Sequence, residues 1–266
     1  MIKRNVVLFY SLAKNAFLSL SVFRVNFFAS ILTDVVLLVF SLLLWRALYQ
    51  TGVNTPVQPF QQVVTYLLLA RVAVPIDMGF VNTVQNRVLS GEIVAELLKP
   101  IKYSNYLLAQ EIGFYLTQLL TRSLPIIIVV FLIYDIKLPS PPYLVLFFAA
   151  LILSYLIIFY INFITAVAAF WIIHLFSLNV VKGQIIRFLS GSFVPLWFFP
   201  SGFQDIMIYL PFASIIYVPV QIYLENETIF NSIMYILLQG FWVVFILLVS
   251  KWVWNKATSE LVINGG

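Results

Sequence analysis

Five ionisable side chains, Asp34, Arg71, Asp77, Glu111 and Arg122, lie within or at the edges of long apolar runs. A charge in such surroundings is costly, and it faces a partner, a water-filled cavity or a pathway. At a helical rise of about 1.5 Å per residue, Arg71 and Arg122 fall near the middle of their runs and Asp34 slightly to one side. Asp34 can therefore reach either arginine if the helices adjoin. Two chemistries fit these residues. One is a neutralised pair that fixes helix packing. The other is a polar lining for an anionic or zwitterionic substrate. Residue type leaves both open, and the five groups form no regular ladder for proton relay.

Other chemistries find little to work with. The chain has no cysteine and a single histidine, His174. Disulfide, thiolate and histidine-cluster metal sites are thereby excluded. A lone histidine reads as a packed or interfacial residue, and dispersed acids with no nucleophile–base pair argue against a membrane-embedded enzyme. No G-x-x-x-x-G-K-[ST] phosphate loop occurs, so ATP chemistry is expected on another chain. No catalytic, cofactor-binding or metal-ligating residue is assigned, and no cofactor is expected.

The elements that hold the five charges are read from composition. Hydrophobic residues make up 62% of the 266, charged residues 9%, and the mean hydropathy is +1.02. Soluble domains carry about a quarter charged residues. The bilayer must be the solvent, which predicts an all-α membrane protein. The net charge of +5 matters through its placement and implies no nucleic-acid partner.

A helical span needs roughly 20 apolar residues. Six runs qualify, at 26–48, 61–82, 106–134, 143–176, 183–199 and 229–252. Residues 1–25 place Ile2, Val6, Phe9, Ala13 and Phe17 at helical spacing beside Lys3 and Lys14, as in an amphipathic helix lying in the interface. Segment 200–225 is apolar but broken by Pro200, Pro211 and Pro219, which predicts a re-entrant hairpin before the last span.

Basic residues set the orientation. With the N-terminus inside, eleven of them (Lys3, Arg4, Lys14, Arg24, Arg87, Lys99, Lys102, Lys182, Arg187, Lys251 and Lys256) are cytoplasmic, against Arg46 and Lys137 outside. Both termini are therefore expected in the cytoplasm.

Between the second and third runs, residues 84–100 read as a short cytoplasmic helix. Ser90 can cap it, Glu92 sits in its first turn, and Pro100 stops it. Leu89, Ile93 and Leu97 line one face, with Val94 and Leu98 beside it, leaving Arg87, Glu96 and Lys99 for water or headgroups. Such a helix either floats at the interface or docks its apolar stripe into a partner's groove.

The residues from Arg87 through Gly91 to Ile93, followed by Glu96-Leu-Leu-Lys-Pro100-Ile, resemble the signature of ABC-2-type exporter permeases. More closely, they are similar to the subgroup that pairs two different six-span permeases with a separate ATPase. Ser190-Gly191-Ser-Phe-Val-Pro195 through Pro200, then Leu210-Pro211-Phe212 and Tyr217-Val-Pro219, resemble that family's fifth span and external hairpin. The N-terminal helix fits too, so the resemblance covers the whole chain. It implies a plasma-membrane exporter permease with a second, related permease as its mate and two ATPase subunits beneath. It further implies that Arg87, Leu89, Gly91, Glu92, Ile93, Leu97, Leu98 and Lys99 form the ATPase-coupling segment, and that the substrate is amphiphilic or hydrophobic. A secondary transporter is the main rival, but such folds show two related halves with matching interruptions, and only the region after the fifth run is interrupted here. A membrane scaffold is the remaining alternative.

Overall fold

The computed structural model describes residues 24–50, 58–134 and 136–264, with side chains except those of 24–31, 122 and 260–264. The interfacial helix expected over 1–25 lies almost wholly outside the described residues. Every regular element among the described residues is helical: α1 (Arg24–Gln50), α2 (Phe60–Val72), α3 (Phe80–Leu89), α4 (Ile93–Leu97), α5 (Tyr103–Gln118), α6 (Leu124–Ile133), α7 (Pro141–Val167), α8 (Phe176–Leu189), α9 (Ser201–Met207), α10 (Tyr217–Tyr223) and α11 (Ile229–Asn264).

Among the described residues, four stretches are long and apolar enough to cross a bilayer: Leu32–Gln50, Tyr103–Ile133, Pro141–Phe170 and Ile229–Ser259. They correspond to the first, third, fourth and last expected runs. The third contains a wide π turn at Leu119–Ser123. Pro125 accounts for it, because it has no N–H for the Thr121 carbonyl one turn back and its ring crowds that group. The fourth ends at a 3-10 turn, Ala168–Phe170, rather than at 176, so His174 lies in an exposed link. The last continues past 252 to Asn264.

The other two expected runs are not continuous helices. Over 61–82 the chain breaks between α2 and α3, leaving residues 73–79 irregular. Pro75 disfavours helix at Val74 and supplies no N–H, which explains the break. The 13 residues of α2 extend about 20 Å, less than the roughly 30 Å of a hydrocarbon core. Over 183–199 the helix begins earlier, at Phe176, and stops at Leu189. Gly191 then turns at φ +78°, and a Cβ there would stand 2.6 Å from Tyr66 Oη. Glycine is needed for that approach, and Tyr66 donates to the Gly191 carbonyl at 2.9 Å. The expected helix over 84–100 is likewise two short ones, α3 and α4, parted by a turn in which Gly91 takes φ +77°.

Segment 200–225 folds as two short helices joined by turns. Pro200 precedes α9, Pro211 lies in the turns, and Pro219 is the third residue of α10, where a missing N–H breaks no intrahelical bond. α9 has no buried residue, whereas α10 is buried from Val218 to Tyr223.

The core centres on α7, which packs against α11, α10 and α3. In lipid, apolar contact alone gives helices little reason to choose one another, and hydrogen bonds and close packing decide. Gln239 of α11 donates to the Ser214 carbonyl at 2.8 Å and to Ser154 Oγ of α7 at 3.2 Å, while Ser154 donates to Ser214 at 2.8 Å. All three residues are fully buried, so this knot fixes the turn before α10 against both long helices. A second core joins α1, α2 and α6 through Leu38, Trp45, Val63, Val64, Ile126 and Val130.

Candidate functional site

The break between α2 and α3 is where polar side chains converge. Tyr115 of α5 donates to the Ala73 carbonyl. Asn162 of α7, wholly buried, donates to the Ile76 carbonyl at 3.0 Å. Lys182 of α8 donates to Asn162 Oδ1 at 2.5 Å and to Asn179 Oδ1 at 2.7 Å. Arg187 of α8 pairs with Asp77 inside the break. A Cβ on Gly183, one helical turn before Arg187, would meet Asp77 Oδ1 at 2.7 Å, so α8 presents a bare backbone to this carboxylate. Glu111 of α5 is buried beside the Phe80 backbone at the start of α3. Irregular backbone among apolar helices is tolerated when protein satisfies it, and these side chains do so.

The break forms one wall of a cavity of about 290 Å³. Asp34, Arg71, Asp77, Arg187, Tyr115, Gln118, Ser123 and Ser192 give it a polar lining. Asp34 meets Arg71 of α2 at 2.8 Å, one of the two pairings open to it in the sequence. Arg122 belongs to the π turn of the third run, and its side chain is outside those described. Asp77 and Glu111 both join the break, although in sequence they were only charges at the ends of runs.

Residues 84–100 are arranged differently from their expected stripe. Ile93 is 2% exposed and belongs to the main core, with Leu97 packed beside it. Leu89, Val94 and Leu98, at 55%, 56% and 81% exposure, form the outward apolar surface. The turn at Gly91 rotates α4 relative to α3, so one continuous helical face does not exist. Arg87 and Glu96 do not remain for water. They pair at 2.9 Å, Tyr106 donates to Glu96 at 3.0 Å, and Lys99 lies 4.2 Å over the Tyr106 ring. Glu92 and Lys99 stay exposed.

Asn162, Tyr115 and Lys182 were not singled out in the sequence. Asn162 had a signal, a lone amide within a 27-residue apolar helix. Lys182 and Arg187 were counted only as cytoplasmic charges, and nothing in spacing connects them to Asp77 a hundred residues earlier. Among the described residues, no group of three His, Cys, Asp or Glu could hold a metal ion.

Fold and site together define an all-helical membrane protein with a charge-lined cavity between its helices. The model of a family described as ABC-2 family transporter protein matches residues 15–265. The chain belongs to the ABC-2 transporter family and is a transmembrane transport component. Membership implies an ABC ATPase as partner. No curated protein and no solved structure matches the chain.

Proposed function

We propose that this chain is the permease subunit of an ATP-driven exporter of amphiphilic substrates, coupled to two separate ATPase subunits. Its mate is a related permease rather than a second copy. The likeness of residues 87–101 to the two-permease subgroup supports that choice. The host membrane is the plasma membrane, with both termini cytoplasmic, as the eleven-to-two placement of basic residues supports.

One observation carries the coupling. The break at 73–79 lines the polar cavity, and the chain runs from it directly into α3, which ends at exposed Leu89 and is followed, past the Gly91 turn, by exposed Val94 and Leu98 at α4. A push on these residues by a closing ATPase pair travels along one ten-residue helix to the cavity wall. The wall is held by hydrogen bonds and an ion pair that can exchange partners, rather than by a continuous helix. Two discrete arrangements of such a segment are what coupling between distant sites requires.

Leu98→Asp tests this reading. Leu98 is 81% exposed, so the change leaves the fold intact while placing a charge against the partner's groove. Co-purification of the ATPase and substrate-stimulated hydrolysis should both fall by about tenfold or more, as loss of an interface anchor does. Wild-type levels of both would remove α3 and α4 from the coupling role.

A further inference from the structure

The polar cavity has an apolar neighbour. A second cavity, also about 290 Å³, is lined by Leu37, Leu38, Phe40, Ser41, Leu67 and Phe193, and it shares Arg71 and Ser192 with the first. Arg71, paired with Asp34, stands at the junction. Together the two fall within the roughly 300–1,000 Å³ typical of small-molecule sites. One half offers charged and hydroxyl groups. The other, beyond the shared Arg71 and Ser192, offers hydrocarbon and a serine whose hydroxyl is already bonded to the Leu37 carbonyl at 2.8 Å.

The charges narrow the head. Among the described residues, the charged groups on the polar lining are Asp34, Asp77, Arg71 and Arg187, two of each sign and paired across the cavity wall. A ligand with net charge would add an unmatched charge among these partly exposed groups, which is unfavourable. A zwitterion adds none. Its anionic group can take a guanidinium and its ammonium a carboxylate, exchanging one ion pair for two. We infer that the joined cavities form a binding site for a single-chain zwitterionic amphiphile, with its head between the Asp34–Arg71 and Asp77–Arg187 pairs and its hydrocarbon tail along α1. The inference rests on the reading of the chain as a transport route, and it supplies that route's substrate class.

The test is equilibrium binding to the purified full chain in nanodiscs, with empty discs subtracted. No ATPase is present, so failure of ATPase coupling and failure of this site are distinguishable. The probes are radiolabelled dodecylphosphocholine, dodecyl phosphate and dodecyltrimethylammonium. Saturable binding of the zwitterion, at least about tenfold tighter than either singly charged probe, is expected from charge matching. Arg71→Gln should weaken it by a similar factor, and the exchange Asp34→Arg with Arg71→Asp should restore it, because the pair and the neutrality return. Ser41→Trp fills the apolar half without removing any buried group, and it should also abolish the preference. Equal binding of all three probes, or full zwitterion affinity in a folded Ser41→Trp chain, would overturn the proposal.

Discussion

The stretch from Phe60 to Leu89 and the helix from Ile229 to Asn264 are both apolar and nearly equal in length, yet they are built in opposite ways. The last helix is unbroken for 36 residues and presents Phe230, Leu237, Phe241, Val244, Leu248 and Trp252 outward. The second run is broken at its middle, and α2 is buried along nearly its whole length. The difference teaches where a membrane chain can interrupt its hydrogen bonds. A helix facing lipid must satisfy its backbone internally, whereas one enclosed by other helices can open, because their side chains supply the missing partners. The opened backbone is also where this protein gathers its charges.

Ile93→Ala, set beside Leu98→Ala, gives the largest expected contrast, at the short helix that follows the broken run. Ile93 is 2% exposed, so its truncation should cost roughly 2–5 kcal/mol, whereas the 81% exposed Leu98 should cost almost nothing. Denaturant titration of the detergent-solubilised chain reads both. Equal losses would mean that α4 is not seated on the core.

Asn162→Ala removes the amide that holds the Ile76 carbonyl and receives Lys182. Leaving the Ile76 carbonyl without its donor, and Lys182 with Asn179 alone, should destabilise by about 1–3 kcal/mol. Faster amide exchange should be confined to residues 73–80, and uniform exchange across the chain would show that the break has no separate stability.

Gly240→Ala acts on the unbroken helix. A Cβ there meets nothing within 4 Å, so the change should stabilise by about 0.5–1 kcal/mol through backbone entropy alone. A loss of stability instead would reveal a neighbour against that face, such as the second permease.

Glu225 gives the smallest effect. The Ser140 N–H donates to its carboxylate at 2.5 Å and holds its pKa below the usual value. Its contribution is therefore complete above the ordinary carboxylate range and is lost as pH falls through the lowered folded-state value. Glu225→Gln should flatten the acid limb of the melting profile slightly, and an unchanged limb would show that the contact is not formed.

Much of this architecture was legible in the sequence. The four long helices follow from apolar length, whereas the second and fifth runs read as continuous spans and are broken at Pro75 and Gly191. The pairing of Asp34 with Arg71 was one of two that helical rise allowed. The split of residues 84–100 was harder to see, because a glycine inside an amphipathic pattern is compatible with either a continuous helix or a turn. Only the left-handed backbone at Gly91 turns Ile93 inward and leaves Val94 and Leu98 outside.

By itself, then, the amino-acid sequence determined the solvent, the helical class and the positions of the long helices, since each depends on the composition of a contiguous run. The tertiary structure alone decided that Asp77 meets Arg187, that Asn162 and Lys182 hold the break, and that a polar and an apolar cavity join at Arg71. Those contacts link residues up to 110 positions apart, and local periodicity carries no information about which helix faces are brought together across that distance.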